Sequence, residues 1–519
     1  MRQLINTGNK DRDGLNPDVT LYTLFNYEYK APVFSDNDLC ALGRVMAGMW
    51  RSNASAPSGY TYLGQFLAHD LSRLRDEKHA LEVTSIENDK VVSTVPATID
   101  LSSVYNPPKN SVVKKDQLRE PGSAKMLLGA AQKKNSLLHG YDLPRTEKGI
   151  AIIADDRNDE NVIVSQLHLQ FLKLHNFFVD RIGREEPELD TEALFEEAKE
   201  QVILHYQEVI LYDLLYEIIH PDVWRSIILE DRFILWNPKF SESGKAAEKS
   251  VLPIEYTGAS GRFGHPMVRM RYALNDEQEA SLDDLFSMTG DGGFESAVKR
   301  LPASHVIDWL CFFDFPTLNR ATTNKNVAER ISPAVKIKLK HTRILDRPDN
   351  TNLARRNLIR GSQLHLPSGQ FAARHLINNF SEQLKECGIT IRELSVDELN
   401  FKSHAPSTGS LDVHCPNLLV DTPLWYYVMV EACLETPEGI GKLGPLGSLF
   451  LAESIKGILK LNEPSIFRPN KRRNYIAGSK IVPQVSTGRF LQMSDLILAV
   501  NPSLPNPLEF IKEESKKPH

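Results

Sequence analysis

Long apolar runs are missing from this sequence. No stretch reaches the roughly 18 consecutive apolar residues that a membrane-crossing helix needs, so no transmembrane span is expected. The opening residues, MRQLINTGNKDRDGLNPD, lack the apolar core of an export signal, which points to a cytoplasmic or leaderless protein. Cysteine is scarce. Cys40, Cys311, Cys387, Cys415 and Cys433 are odd in number and far apart, and no Cys-x-x-Cys pair occurs. That argues against a cysteine zinc site and reads as buried thiols in a reducing compartment. An excess of one charge is also absent: a formal net charge of -6 and a pI near 6.2 leave no electrostatic footprint for nucleic acid or an anionic membrane. The basic cluster RPNKRRNY at 468–475 is short and reads as a solvated face. Alternating strand patterns are few and short, KVVSTV being the best, and no internal repeat is found.

Amphipathic helical spacing is what the chain has in quantity. With 519 residues, 41% hydrophobic and 25% charged, it is long enough for several domains and ordinary in composition for a globular protein. NVIVSQLHLQFLKLHNFFVDRIG places Ile163, Leu167, Phe171, Leu174 and Phe178 on one helical face and is expected to stop at Gly183. DTEALFEEAKEQVILHYQEVILYDLLYEII reads as a second long helix, opened by Asp190 or Thr191 with acidic residues in its first turns. FAARHLINNFSEQLKECG, LWYYVMVEACLE and LGSLFLAESIKGILKL are expected to be helical too. The irregular segments 85–125, 235–260, 330–352 and 463–490 carry no linker-like composition. The fold class is therefore mainly α: one large helical domain with long loops and little β.

Chemistry-bearing residues fall into separated clusters. In YTYLGQFLAHDLSRL, Gln65 and His69 are one helical turn apart on one face, and Asp70 points elsewhere. ADDRNDENVIVSQLH carries Arg157 and Glu160 just ahead of a long helix, a pattern usual for a solvated helix start. GRFGHPMVR sets His265 between a glycine and a proline, and LARRNLIRGSQLHLPSGQ carries Asn357 and Arg360. Each cluster alone is weak; their order along the chain is what carries meaning.

Together these motifs resemble the animal-type haem peroxidases, the peroxidase–cyclooxygenase superfamily, over roughly residues 58–460. The match consists of Gln65, His69 and Asp70; Arg157 and Glu160 before a helix with His175 and Asn176; Arg262, Phe263, Gly264 and His265; and Asn357 with Arg360. The tail from TPLWYYVMVEA to LGPLGSLFLAE is similar to the C-terminal helices of bacterial members. The resemblance implies residues 1–57 as an N-terminal arm packed on the core, 58–460 as the helical haem peroxidase core, and 461–519 as a C-terminal extension packed on it.

The resemblance also implies roles. His265 would be the proximal iron ligand, and Asn357 would accept the hydrogen bond of its second ring nitrogen. His69 would move the peroxide proton as general base, then general acid. Arg157 would stabilise the charge that develops as the O–O bond breaks, and Gln65 would position peroxide. Arg262 and Arg360 would pair with haem propionates or line the proximal edge. His168 and His175, seven apart on one helix face, do not have a usual metal-ligand spacing and read as a structural network behind the distal site. Asp70, with Asp100, Ser102 and Thr98 of PATIDLSSVY, would bind calcium through hard oxygen donors. Pro96 stands where the family has a threonine ligand, which weakens that site.

Ala68 occupies the place of the aspartate that esterifies haem in mammalian members, and Asn161 that of a methionine bonded to haem in one of them. Haem b would thus be non-covalent, or linked only through Glu160. The expected activity is that of a peroxidase: hydrogen peroxide oxidises small donors (halide, thiocyanate, phenol or a pathway-specific substrate) through a ferryl intermediate. Two alternatives remain. Fatty-acid dioxygenases of the superfamily carry a radical tyrosine three residues before the proximal histidine, where this chain has Arg262. The other is a haem-binding protein without turnover, against which His69 and Arg157 speak.

Overall fold

The computed structural model describes residues 20–25, 29–72, 97–108, 111–236, 251–289, 298–316, 318, 326–337, 351–400, 411–436, 441–468 and 490–501. The KVVSTV segment and Pro96 lie outside them. The fold is mainly α. Its principal helices are α1 (Asp36–Gly48), α2 (Gly59–Leu71), α3 (Val162–Glu185), α4 (Thr191–Val209), α5 (Leu353–Gln363), α6 (Gly369–Asn379), α7 (Leu424–Glu435), α8 (Pro445–Leu461) and α9 (Met493–Val500). Among the described residues, the strands form two-stranded pairs only. One is the antiparallel hairpin of β1 (Gly129–Lys133) and β2 (Ser136–Asp142), which the sequence pattern does not suggest.

Local chemistry explains the helix boundaries. Asn161 caps α3 by accepting the amides of Ile163 and Val164 at 3.1 and 3.0 Å, and Asp190 caps α4 by accepting that of Ala193. The long helix does not stop at Gly183 but runs two residues further, to Glu185. Gly183 has only Leu194 beside it, so nothing there breaks the backbone. α4 continues through a π-helical turn at Ile210–Leu214 into Leu215–Ile218. The FAARHLINNFSEQLKECG segment is two helices, broken at Phe380.

α2, α3, α7 and α8 are buried along most of their length and carry the core. Phe66 of α2 stacks on Phe171 of α3, with ring centroids 5.0 Å apart, and Tyr206 of α4 meets Phe171 edge-on. Buried carboxylates tie loops to this core. Glu453 of α8 accepts the amides of Ile234, Leu235 and Trp236, and Glu431 of α7 accepts those of Leu446 and Gly447 at the start of α8. The segment before α1 is held similarly: Glu255 accepts the Thr23 hydroxyl and the Leu24 amide. At the other end of the chain, Asn501 donates to Gln170 of α3 at 2.7 Å. Among the described residues, all five cysteines are free thiols, and no helix is long and apolar enough to cross a membrane.

Candidate active site

α2 is buried except for a stripe. Gln65 and Ala68 are partly accessible, and His69 retains 7% exposure. Positions i, i+3 and i+4 share one helical face, so solvent reaches this core helix along the side that carries its chemistry. Gln65 Nε2 donates to Glu160 Oε2 at 2.9 Å, and its carbonyl oxygen accepts from Asn161 Nδ2 at 3.3 Å. The same Glu160 oxygen is 3.9 Å from His69 Nε2. Gln65, His69 and Glu160 therefore form one polar group.

Glu160 and its neighbours are placed by a tight 3-10 turn, Asp156–Asp159, capped by Asp155. The charge-rich DDRNDEN stretch is not a solvated helix start. Asp155, Asn158, Asp159 and Asn161 are all buried. Asp159 forms a buried pair with Arg145 at 2.7 Å, and Arg145 also holds Asp142. Asn158, which the sequence had not singled out, accepts from His69 Nδ1 at 2.9 Å and donates to His168 Nδ1 at 3.0 Å. Polar density ahead of an apolar helix was the available signal.

Arg157 is anchored at the end of α2. Its Nε and Nη2 donate to the Asp155 carboxylate, Nη1 to the Ser72 carbonyl at 2.7 Å, and Nη2 to the His69 carbonyl at 2.7 Å. The guanidinium is a clamp on the C-terminal end of α2, where unpaired carbonyls attract a cation. Those bonds tie it to the backbone of His69. His175 and Asn176 are structural as well: His175 bridges Tyr105 Oη and the Ala124 carbonyl, and Asn176 pairs with the Met126 backbone. Burial pushes His168 down to about 3 and His175 down to about 4, so both are neutral imidazoles.

On the second side, His265 stands in the short helical turn Gly264–Met267 and is partly accessible. Burial of its imidazole, then the charges of Arg262 and Arg356, push it down to about 3; it is held neutral, as a metal ligand must be. Asn357 of α5 is 2.6 Å from His265 Nδ1, but with its amide nitrogen. This reverses the expected hydrogen bond. Arg262 Nη1 donates to Asn357 Oδ1 at 2.9 Å, and a guanidinium only donates, so the amide NH2 is left facing the imidazole. Arg262 Nε also donates to the Thr257 carbonyl. Arg360 stands three residues after Asn357 on α5, partly buried. Phe263 brings the two sides together: a Cβ on Gly64 of α2 would lie 2.6 Å from its ring.

Asp70 is fully buried and points away from this group. Its two oxygens accept the amides of Leu101 and Ser103 at 2.9 and 3.0 Å. Asp100 accepts from the hydroxyls of Thr98 and Ser102 and from the Ser102 amide. Desolvation, then the nearby Asp100 charge, raise the Asp70 carboxyl well above its ordinary value. Among the described residues, no group of three or more His, Cys, Asp or Glu could hold a metal ion. The loop offers two carboxylates, hydroxyls and carbonyls.

Residues 67–291 match the animal haem peroxidase family. No curated protein matches the chain in sequence. Solved structures share the fold. Peroxidase A from Dictyostelium discoideum is similar at 14% identity and a TM-score of 0.55, over 90% of this chain and 93% of that one. The fatty acid alpha-dioxygenase of Arabidopsis thaliana gives 14% identity and 0.56, over 96% and 78%. That of Oryza sativa gives 15% and 0.56, over 86% and 76%.

Proposed function

For a chain that carries an animal haem peroxidase domain on the fold of the peroxidase–cyclooxygenase superfamily, we propose a haem peroxidase that uses hydrogen peroxide to oxidise small donors. The observation that carries this reading is the polar group on α2, in which His69 Nε2 lies beside the Gln65–Glu160 pair on the accessible stripe. The residues fit haem. Partly accessible residues lie on α2 and on the 261–265 segment, which packs on α2 through Phe263, and His265 is held neutral. His265 would hold the iron through Nε2. That requires the proton on Nδ1, hence the Asn357 amide turned with its oxygen to His265 and Arg262 released from it. Arg262, so released, and Arg360 would meet the propionates.

Haem, when bound, supplies the redox-active iron at which peroxide is cleaved. His69 Nε2 takes the proton of hydrogen peroxide and returns it to the departing water, general base followed by general acid. Gln65 and Glu160 orient the peroxide beside it. Ala68 has no carboxylate to give, so haem is non-covalent or attached only through Glu160. Calcium binds weakly at Asp70, Asp100, Ser102 and Thr98. The donors are of the hard oxygen type, but Asp70 already spends both oxygens on amides.

The fold is shared with fatty acid alpha-dioxygenases, and Arg262 stands where their tyrosine radical would be needed. The test is to load the full chain with haem and follow the Soret band after peroxide, then donor oxidation with a phenol and with bromide, and oxygen uptake with palmitate. A peroxide-dependent Soret change with donor oxidation supports the proposal. Oxygen uptake with palmitate and no peroxide response sinks it.

A further inference from the structure

We infer that Asn158 is a positioning residue for the proton transfer, fixing the tautomer that leaves His69 Nε2 unprotonated toward the peroxide. The inference rests on the peroxidase reading above.

A neutral imidazole carries one N–H. Which nitrogen holds it depends on what the other nitrogen meets. His69 Nδ1 meets Asn158 Oδ1 at 2.9 Å. If that oxygen is an acceptor, the proton sits on Nδ1 and Nε2 presents a lone pair. Were the amide reversed, its NH2 would face Nδ1, the proton would move to Nε2, and His69 could take no proton from peroxide.

The surroundings of Asn158 decide between the two orientations. Its Nδ2 is 3.4 Å from the Ser103 carbonyl, an obligate acceptor, and 3.0 Å from His168 Nδ1. The Ser103 carbonyl is itself held: it accepts the Asp155 amide at 3.2 Å, and the Ser103 amide is bound to Asp70 at 3.0 Å. His168 is fully buried, and its Nε2 has no partner. A neutral His168 carries one proton, and with that proton on Nε2 its Nδ1 accepts from the Asn158 NH2 group. One carbonyl and one imidazole thus hold the NH2 group of Asn158 away from His69. The order of control runs from Ser103 and His168 to Asn158 to His69. Asn158 touches no reacting atom.

Two substitutions separate this role from simple packing. Asn158→Asp keeps an acceptor for His69 Nδ1–H but removes the donor to Ser103 and His168. Asn158→Leu removes both. A residue that merely bridges the loop would be hurt equally by the two changes. A tautomer-fixing acceptor is hurt mainly by leucine. The rate of the Soret change after peroxide is expected to fall about tenfold or more in Asn158→Leu, within the range that a positioned base contributes, and to stay within about threefold of wild type in Asn158→Asp. Histidine-selective 15N NMR of the full chain without haem gives a second readout. His69, assigned by its loss in His69→Gln, is expected as the Nδ1-protonated tautomer in wild type and Asn158→Asp, and shifted toward Nε2-protonated in Asn158→Leu. An Nε2-protonated His69 in wild type overturns the inference, as do equal peroxide rates in wild type and Asn158→Leu, or equal losses in both variants. A wild type inert to peroxide, with the expected tautomer, overturns the peroxidase reading and leaves the positioning intact.

Discussion

Arg157 grips the histidine from behind: its Nη2 donates to the carbonyl oxygen of His69 at 2.7 Å while Nε and Nη2 hold the Asp155 carboxylate. The imidazole of His69 is thus anchored twice, by Arg157 through the backbone and by Asn158 through the ring.

This arrangement separates two variants. His69→Ala is expected to slow the peroxide-dependent Soret change by about a hundredfold or more, with haem content and denaturant midpoint near wild type. Arg157→Ala is expected to lose about 2–4 kcal/mol of stability, because it strips the partner from a buried Asp155 and from the end of α2. Its peroxide step should slow less than that of His69→Ala. Denaturant titration and stopped-flow absorbance on both variants check this. An Arg157→Ala chain as stable as wild type, yet inert to peroxide, would return the guanidinium to the reacting side.

His265→Ala is expected to lose haem. His265 is the proposed iron ligand, and its ring partner Asn357 is an amide that cannot replace an imidazole. The ratio of Soret to protein absorbance after gel filtration measures it. Full retention with an unchanged histidine-ligated spectrum would refute the proximal assignment.

Acidified organic solvent is expected to extract most of the haem from wild type, since Ala68 offers no carboxylate. Any retained fraction should be freed by Glu160→Gln, as Glu160 is the carboxylate beside Gln65 and His69. Two ester links in a mass spectrum of the haem peptides would contradict this.

Calcium chelation is expected to shift the melting temperature only slightly, because Asp70 is already satisfied by the Leu101 and Ser103 amides. Asp70→Ala should cost more than chelation does, as it leaves those buried amides without a partner. A chelator effect as large as that of Asp70→Ala would show a tight structural ion instead.

Acid should weaken the fold through His168 and His175. Both are held neutral in the fold, down to about 3 and about 4, whereas an unfolded chain protonates them near 6.5. Their folded values are depressed. The stability they contribute is complete above pH 6.5 and is lost progressively as pH falls toward 4. Buried Glu255, Glu431 and Glu453, raised to about 7, act in the opposite sense over the same window. The difference between wild type and His175→Gln isolates the imidazole: its unfolding free energy should fall less steeply between pH 6.5 and 4. Parallel pH profiles would refute the assignment.

The mainly α fold and the long helices were legible because apolar residues at helical spacing must find a core. Gln65 and His69 were legible for the same reason, as polar residues on a buried helix. Arg157 was not. Sequence puts Arg157 just ahead of α3 but cannot say that it meets the Ser72 and His69 carbonyls, since those come from the fold. Asn158 was hidden in a charge-rich stretch that looks solvated until Arg145 and the loop around Ser103 close over it. The second partner of the Asn357 amide, Arg262, lies 95 residues away in sequence, so the pairing that turns the amide in this structure could not be read from the motif. The β1–β2 hairpin lacks the alternation that would have announced it.

The contact between Gly64 and Phe263 has a mechanical meaning. A single hydrogen atom in place of a side chain lets the aromatic ring seat against α2 one residue before Gln65, on a segment that ends at His265. The spacing between the two histidine-bearing walls is therefore set like a shim between two plates. Alanine at position 64 would thicken the shim and push the 261–265 segment away from α2 without touching any group that reacts.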